Sequence, residues 1–428
     1  MTDAVAHQPT PARKPPASLN ENNPIGWAKT NLFGSIGNSI TTVAIIAVLV
    51  YLIPQFLNWS VFSAVFRVDS DACRVADGAC WGVIGEKWQV MLFGRYPPGE
   101  LWRPMLSMAV LVGMIIWSIN PQRWSRTMLI AWALAIPGIL IVMGGELSYM
   151  QMPFILAGVA LLAGLPTRTV GYLVVGLVGI IFLPSVLWAV SALTGGALPT
   201  FALPELPAVL TRVDTGLWGG LPLTLIIATS GIALSFPLAI VLALGRQSDL
   251  PAIRAICVGF IELIRGVPLI TILFMASLMI PLFLPEGVET DKLIRAIVGF
   301  TIFSAAYVAE VIRGGLAAIP KGQYEAADAL GLPYWYKTTF IIMPQALKLM
   351  IMPIMNTFIG LFKDTSLVSI ISMFDLLGAV NVAMTDPEWR KFHIESLVFV
   401  AAIYFMMCFA MARYGENLER KLDRSNRS

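Results

Sequence analysis

Lys363-Asp364-Thr365-Ser366 bring an ammonium, a carboxylate and two hydroxyls to the end of the apolar run 341–362. Their chemistry is that of binding. Lys348 stands fifteen residues earlier and can snorkel to an interface. At about 1.5 Å per residue, a helix then carries Lys363 roughly 22 Å deeper. Charges at such depth usually face a bundle interior or an aqueous pathway, and pair with one another or with a ligand. Two readings stay open: a self-satisfied pair that orders a broken helix, or direct contact with whatever passes.

Two further carboxylate–guanidinium pairs share one spacing, Glu262 with Arg265 and Glu310 with Arg313. Three residues apart on a helix means one face, so each reads as an ion pair. Glu262 and Arg265 are expected to be structural. Glu310 and Arg313 are a second structural pair, or they hold the loop that follows in place.

Bond-breaking chemistry finds no residues here. The two histidines, His7 and His393, stand at opposite ends, and the four cysteines form no C-x-x-C, so no metal site is expected. No G-x-x-x-x-G-K-[ST], H-E-x-x-H or G-x-S-x-G occurs, so neither ATP binding by this chain nor catalysis is expected. Net charge is +3, too weak to call for a nucleic acid.

The elements that must position the polar residues follow from composition. Of 428 residues, 57% are hydrophobic and 13% charged, and mean hydropathy is +0.76. Ordinary soluble domains are about 45–50% apolar and about 25% charged. This is an all-α polytopic membrane protein. A membrane-crossing helix needs about 20 mostly apolar residues. The runs 35–57, 104–119, 127–143, 147–167, 169–193, 217–244, 263–285, 294–312, 341–362 and 396–412 qualify or nearly so, which predicts about ten spans.

Residues 1–34 are polar and proline-rich, a tail rather than a signal peptide. With that tail in the cytoplasm, the loops on its side hold Arg123, Arg126, Arg168, Arg246 and Arg254. The opposite short loops hold only Arg212 and Lys292. Basic residues concentrate in short cytoplasmic loops, so both termini are expected inside and the loop 58–103 outside. Cys73 and Cys80 in that loop are either two thiols or, in an oxidising compartment, a disulfide.

The most informative segment runs Ile319-Pro320-Lys321-Gly322-Gln323-Tyr324-Glu325-Ala326-Ala327-Asp328-Ala329-Leu330-Gly331-Leu332-Pro333. Pro320 suits a helix start, and Gly331 suits a left-handed helix end. The result is a short polar helix lying outside the membrane. Glu325-Ala326-Ala327, three residues, Gly331, nine residues and Ile341-Ile342-Met343-Pro344 resemble the E-A-A-x3-G-x9-I-x-L-P loop of ABC importer permeases. Only Met343 departs, and it replaces leucine at similar volume. The segments 261–269, 309–315 and 363–367 resemble the polar amino acid uptake (histidine/glutamine-type) branch. The long N-terminal half is similar to the larger permease subunit of general L-amino acid transporters.

The resemblance implies a type I ABC importer transmembrane fold over 210–428, with a coupling loop at 314–344 and an N-terminal multi-span region at 35–209. It implies that Gln323, Glu325, Ala326, Ala327 and Gly331 dock onto an ATP-binding subunit dimer. ATP and Mg would sit on that partner, with no cofactor in this chain. Further implied partners are a second permease, expected to be a different chain, and a periplasmic amino acid binding protein, with this chain itself in the bacterial inner membrane. An L-amino acid carries both charges, so Lys363, Asp364, Thr365 and Ser366 could match it. The competing class is a gradient-driven secondary transporter; such folds often show paired halves with matching broken helices, and none is visible here.

Overall fold

The computed structural model describes residues 24–120, 125–145, 210–283 and 290–424. It forms two compact units, residues 1–82 and 83–428.

The first unit begins with α1 (Pro24–Leu32) and α2 (Ile36–Leu57). Ser35 caps α2 by accepting the Asn38 N–H at 3.1 Å, as N-cap serines do. No residue of α2 is buried, as befits a helix apolar all round that is solvated by lipid. Asn58–Phe62 adds a π-helical turn, and α3 (Ser70–Val75) follows. Val65 pairs with Cys80, and the Trp81 indole donates to the Ser60 carbonyl at 2.7 Å.

The second unit holds the polar sites. α4 (Gly82–Phe93) leads to α5 (Trp102–Ser118) and α6 (Arg126–Gly144). α7 (Gly220–Arg246), α8 (Pro251–Gly266), α9 (Leu269–Leu282) and α10 (Lys292–Ala317) come next. α7 and α10 pack along their length through small residues, with Ala239, Ala243, Ala305, Ala306 and Ala309 all fully buried. Small side chains let membrane helices approach closely, and Ser304 donates across the seam to Ser235 at 2.9 Å. The cores of α5 and α6 belong here too: Leu111, Ile139 and Met143 are buried in one cluster with Leu223 and Phe300. The compact division falls at Gly82–Val83.

After α11 (Lys321–Ala329), a π-helical segment Lys337–Ile342 leads to α12 (Met343–Leu349) and α13 (Ile351–Asp364). A 3-10 turn Thr365–Ile371, the two-residue strand β1 (Phe374–Asp375), α14 (Leu376–Ala383) and α15 (His393–Arg424) complete the order. β1 pairs with Gly219–Gly220. Gly220 has φ +64°, and a Cβ there would collide with the Leu92 carbonyl, so only glycine fits this close approach.

Among the described residues six helical stretches are long and apolar enough to cross a membrane, and a bent pair makes a seventh. The expected count of ten is not confirmed. The candidate spans 147–167 and 169–193 lie outside the described residues, as do Arg123 and Arg168. Trp102–Ser118 is apolar but short. The expected span 263–285 is corrected: α8 and α9 meet at 108° across Val267-Pro268. Proline disfavours helical backbone in the residue before it, and Val267 is accordingly extended at φ −112°, ψ 135°. Arg265 therefore belongs to the amphipathic helix before the break.

Candidate functional site

α11 is built as its sequence suggests. Pro320 occupies the cap position at its start. At its end Gly331 adopts φ +68°, its N–H reaches the Asp328 carbonyl at 2.9 Å, and the Leu332 N–H reaches Ala327 at 3.2 Å. That double bond pattern is a Schellman motif. Gln323, Glu325 and Ala326 are exposed, whereas Ala327 is 2% exposed. Ala327 therefore faces this chain's own body, and the outward face is carried by Gln323, Glu325 and Ala326. Two ties brace the helix: Gln345 donates to Gln323 at 3.0 Å, and Lys337 pairs with Asp328 at 2.5 Å.

Only three residues separate α10 from α11, and the end of α10 is clamped by charge. Glu310 accepts from Arg313 at 2.6 Å and from Arg246 at 3.2 Å, with Arg265 at 3.8 Å. Arg246 also donates to Glu262 at 2.9 Å, and the Glu262–Arg265 distance is 4.0 Å. The two expected pairs are thus one five-residue cluster joining α7, α8 and α10. Arg246, at the end of α7, was missed because sequence spacing along one helix says nothing about neighbouring helices.

Lys363 to Ser366 straddle the junction of α13 and the 3-10 turn. They separate in space. Lys363 and Ser366 line a cavity of about 570 Å³ with Leu377, Leu397, Val400, Ala401, Tyr404, Phe405 and Cys408. Thr365 is fully buried and its hydroxyl donates to the Phe362 carbonyl at 2.8 Å. Asp364 is half-buried and does not line the cavity. Among the described residues neither Lys363 nor Asp364 has an oppositely charged group within ion-pair distance.

Behind the cavity wall lies a residue the sequence reading did not single out. Asp375 is fully buried and caps α14 by accepting the Gly378 N–H at 2.8 Å. It also accepts the Tyr404 hydroxyl at 2.7 Å. Its sequence signal was an N-cap aspartate before an apolar helix, Asp375-Leu376-Leu377. Cys73 and Cys80 form a disulfide in the first unit.

This fold and these sites define a class: a helical membrane protein with charged residues beside its apolar spans and a short, braced, exposed polar helix. Comparison with known proteins makes the class specific. The family described as binding-protein-dependent transport system inner membrane component matches residues 235–424. The inner membrane amino-acid ABC transporter permease protein YhdY of Escherichia coli K12 is 41% identical over 413 residues, 95% of each chain. The glutamate/glutamine/aspartate/asparagine transport system permease protein BztC of Rhodobacter capsulatus is 39% identical over 438 residues, 96% of each chain. A solved structure of an amino acid ABC transporter with histidines aligns at 29% identity and a TM-score of 0.43, over 47% of this chain and 92% of its own. The chain belongs to the amino-acid ABC transporter permeases, with the type I importer fold, and is a membrane component of amino acid import.

Proposed function

We propose that α11 is the coupling helix, the contact through which an ATP-binding subunit dimer drives this permease. The observation that carries this is the geometry of Lys321–Gly331: a braced, solvent-facing helix whose outer face is Gln323, Glu325 and Ala326. The Glu310 cluster lies one short connection upstream. ATP and Mg belong to that partner; this chain breaks no bond. A second permease, a different chain, completes the membrane pore, and a periplasmic amino acid binding protein delivers cargo. Both termini lie in the cytoplasm, which puts α11 on the cytoplasmic face and the loop 58–103 outside.

Cargo moves by alternating access past the α13 junction, where Lys363 and Ser366 line the open cavity. Thr365 ties the turn beside it through its bond to the Phe362 carbonyl, and Asp364 stands next to it on the pathway. Glutamate, glutamine, aspartate and asparagine, named for the Rhodobacter relative, are the first cargo to try. Co-purification tests the reading: the full chain, extracted in mild detergent, should bring down a stoichiometric ATP-binding protein. Glu325→Ala should weaken that association. A chain that purifies without any ATPase, yet takes up amino acids, would contradict it.

A further inference from the structure

We propose that the aromatic segment Tyr334–Phe340 is a membrane foot, seated in the headgroup layer of the bilayer and tied to α11 so that it fixes the height of that helix. The seating stands on the segment itself; its consequence for α11 rests on the coupling reading above.

Tyr334, Trp335, Tyr336 and Phe340 are four large aromatics in one short segment, and each is more than half exposed. Their rings meet in pairs, with centroids 5.3 Å apart for Tyr334–Trp335 and 5.6 Å for Tyr336–Phe340. Single apolar side chains on a surface are ordinary, whereas a contiguous set marks a contact. The one charge in the segment, Lys337, is engaged by Asp328.

Direction decides the occupant. Tyr334–Tyr336 is a helical turn that runs on into the π-helical segment Lys337–Ile342. Successive residues on a helix point about 100° apart, so the three consecutive aromatics form a collar rather than a stripe. A groove on a protein partner takes one face of a helix; a layer surrounds every face. Tyrosine and tryptophan, apolar in body and polar at one edge, are enriched in that layer at the membrane boundary. The height agrees. Ile342, two residues past Phe340, is buried in one cluster with Ile312, Leu316 and Ile319. These residues stand where the apolar helix α10 ends, so the collar lies at the edge of the apolar zone.

The foot is tied to α11 by side chains. Lys337 pairs with Asp328 at 2.5 Å, Gln345 donates to Gln323 at 3.0 Å, and Tyr324 packs against the cluster that holds Ile342. The helix is thus held by its short connection to α10 on one side and by the foot on the other.

Spin labels read the depth. In a chain with Cys257→Ser and Cys408→Ser, and with the Cys73–Cys80 disulfide intact, a nitroxide would be attached in turn at Tyr334→Cys, Trp335→Cys, Tyr336→Cys and Phe340→Cys. Lys321→Cys, on the exposed start of α11, is the aqueous reference. The complete assembly in phosphatidylethanolamine–phosphatidylglycerol vesicles is probed with oxygen, which concentrates in the bilayer, and with a water-soluble nickel chelate. The oxygen-to-nickel accessibility ratio at all four collar positions should exceed the reference at least threefold, before and after the ATP-binding subunits are stripped with urea. Ratios equal to the reference would overturn the foot. So would a collar shielded from nickel only while the ATPase is bound, a result that keeps the coupling role of α11. A lipid-seated collar in an assembly whose α11 engages no ATPase rejects the coupling reading and keeps the seating. Trp335→Ser with Tyr336→Ser should lower uptake at least threefold at unchanged subunit stoichiometry, and Trp335→Phe with Tyr336→Phe should keep it. Should the serine pair not assemble, Lys337→Gln, which cuts the tie and leaves the collar in place, is read against the same threshold. Full uptake in the variant that is read would overturn the link from the foot to α11.

Discussion

The Arg246 guanidinium lies between Glu262 and Glu310, 2.9 Å from one carboxylate and 3.2 Å from the other. It makes the end of α7, the amphipathic α8 and the end of α10 one mechanical unit. The fulcrum is Glu310, which faces three guanidiniums. Motion imposed on α11 has a short path into α10, and from there through this cluster into α7 and α8.

The two carboxylates should therefore differ. Glu310 is 22% exposed and Glu262 is 53% exposed. Glu310→Gln leaves three guanidiniums facing one another and should lower stability by about 1 kcal/mol, while Glu262→Gln should cost less than about 0.5, as exposed pairs usually do. Thermal unfolding of the solubilised assembly checks this. Equal midpoints for the two variants would remove Glu310 as the hub.

A second tie has a pH signature. The Lys87 ammonium donates to Asp386 at 2.7 Å, and that bond holds the Asp386 carboxyl below the usual carboxylate value. A depressed folded-state pKa stabilises the fold above the unfolded value and is lost as pH falls through the folded one. The stability gap between wild type and Asp386→Asn should be constant from pH 8 to about pH 5, then close as pH drops below the carboxylate range. Unfolding midpoints across that range measure it; a gap that widened on acidification would contradict the assignment.

The Tyr404 hydroxyl satisfies one oxygen of a fully buried carboxylate. Tyr404→Phe leaves that oxygen without its donor and should cost about 1–3 kcal/mol, the usual penalty for stranding a buried acceptor. Asp375→Asn combined with Tyr404→Phe should recover part of the loss, since no buried charge then remains. A double-mutant cycle on unfolding midpoints reads the coupling, and strictly additive losses would argue against the contact.

Much of this was legible from residue order. Pro320, the E-A-A spacing and Gly331 specify a helix start, an outward face and a left-handed end, all local properties of the chain. The disulfide-forming cysteines were legible too, as neighbours in one loop. Relationships between helices were not. Arg246 joined the charge cluster through packing of α7 on α10, 64 residues apart in sequence. Ala327 looked equivalent to Ala326 until the helix was seated, and then it turned inward. Lys363 and Asp364 looked like one unit, but adjacent residues on a helix do not face the same way, and only Lys363 reached the cavity. The bend at Val267-Pro268 carried its signal in the proline, but hydropathy ran smoothly across it.

Gly331 offers the sharpest single test of coupling. At φ +68° with nothing near its would-be Cβ, a side chain there crowds no part of this chain and projects toward whatever docks on α11. Any non-glycine residue strains the left-handed turn by about 1 kcal/mol or more; Gly331→Ala controls for that cost alone. Gly331→Asp adds an anion at the contact. The measurement is amino-acid-stimulated ATPase activity and uptake in reconstituted vesicles, with subunit stoichiometry determined on the same sample. Gly331→Asp is predicted to insert normally, to lose uptake at least tenfold, and to lose stimulation or its ATPase partner, with Gly331→Ala much milder. Normal stoichiometry, stimulation and uptake in Gly331→Asp would contradict the assignment of α11 as the coupling helix.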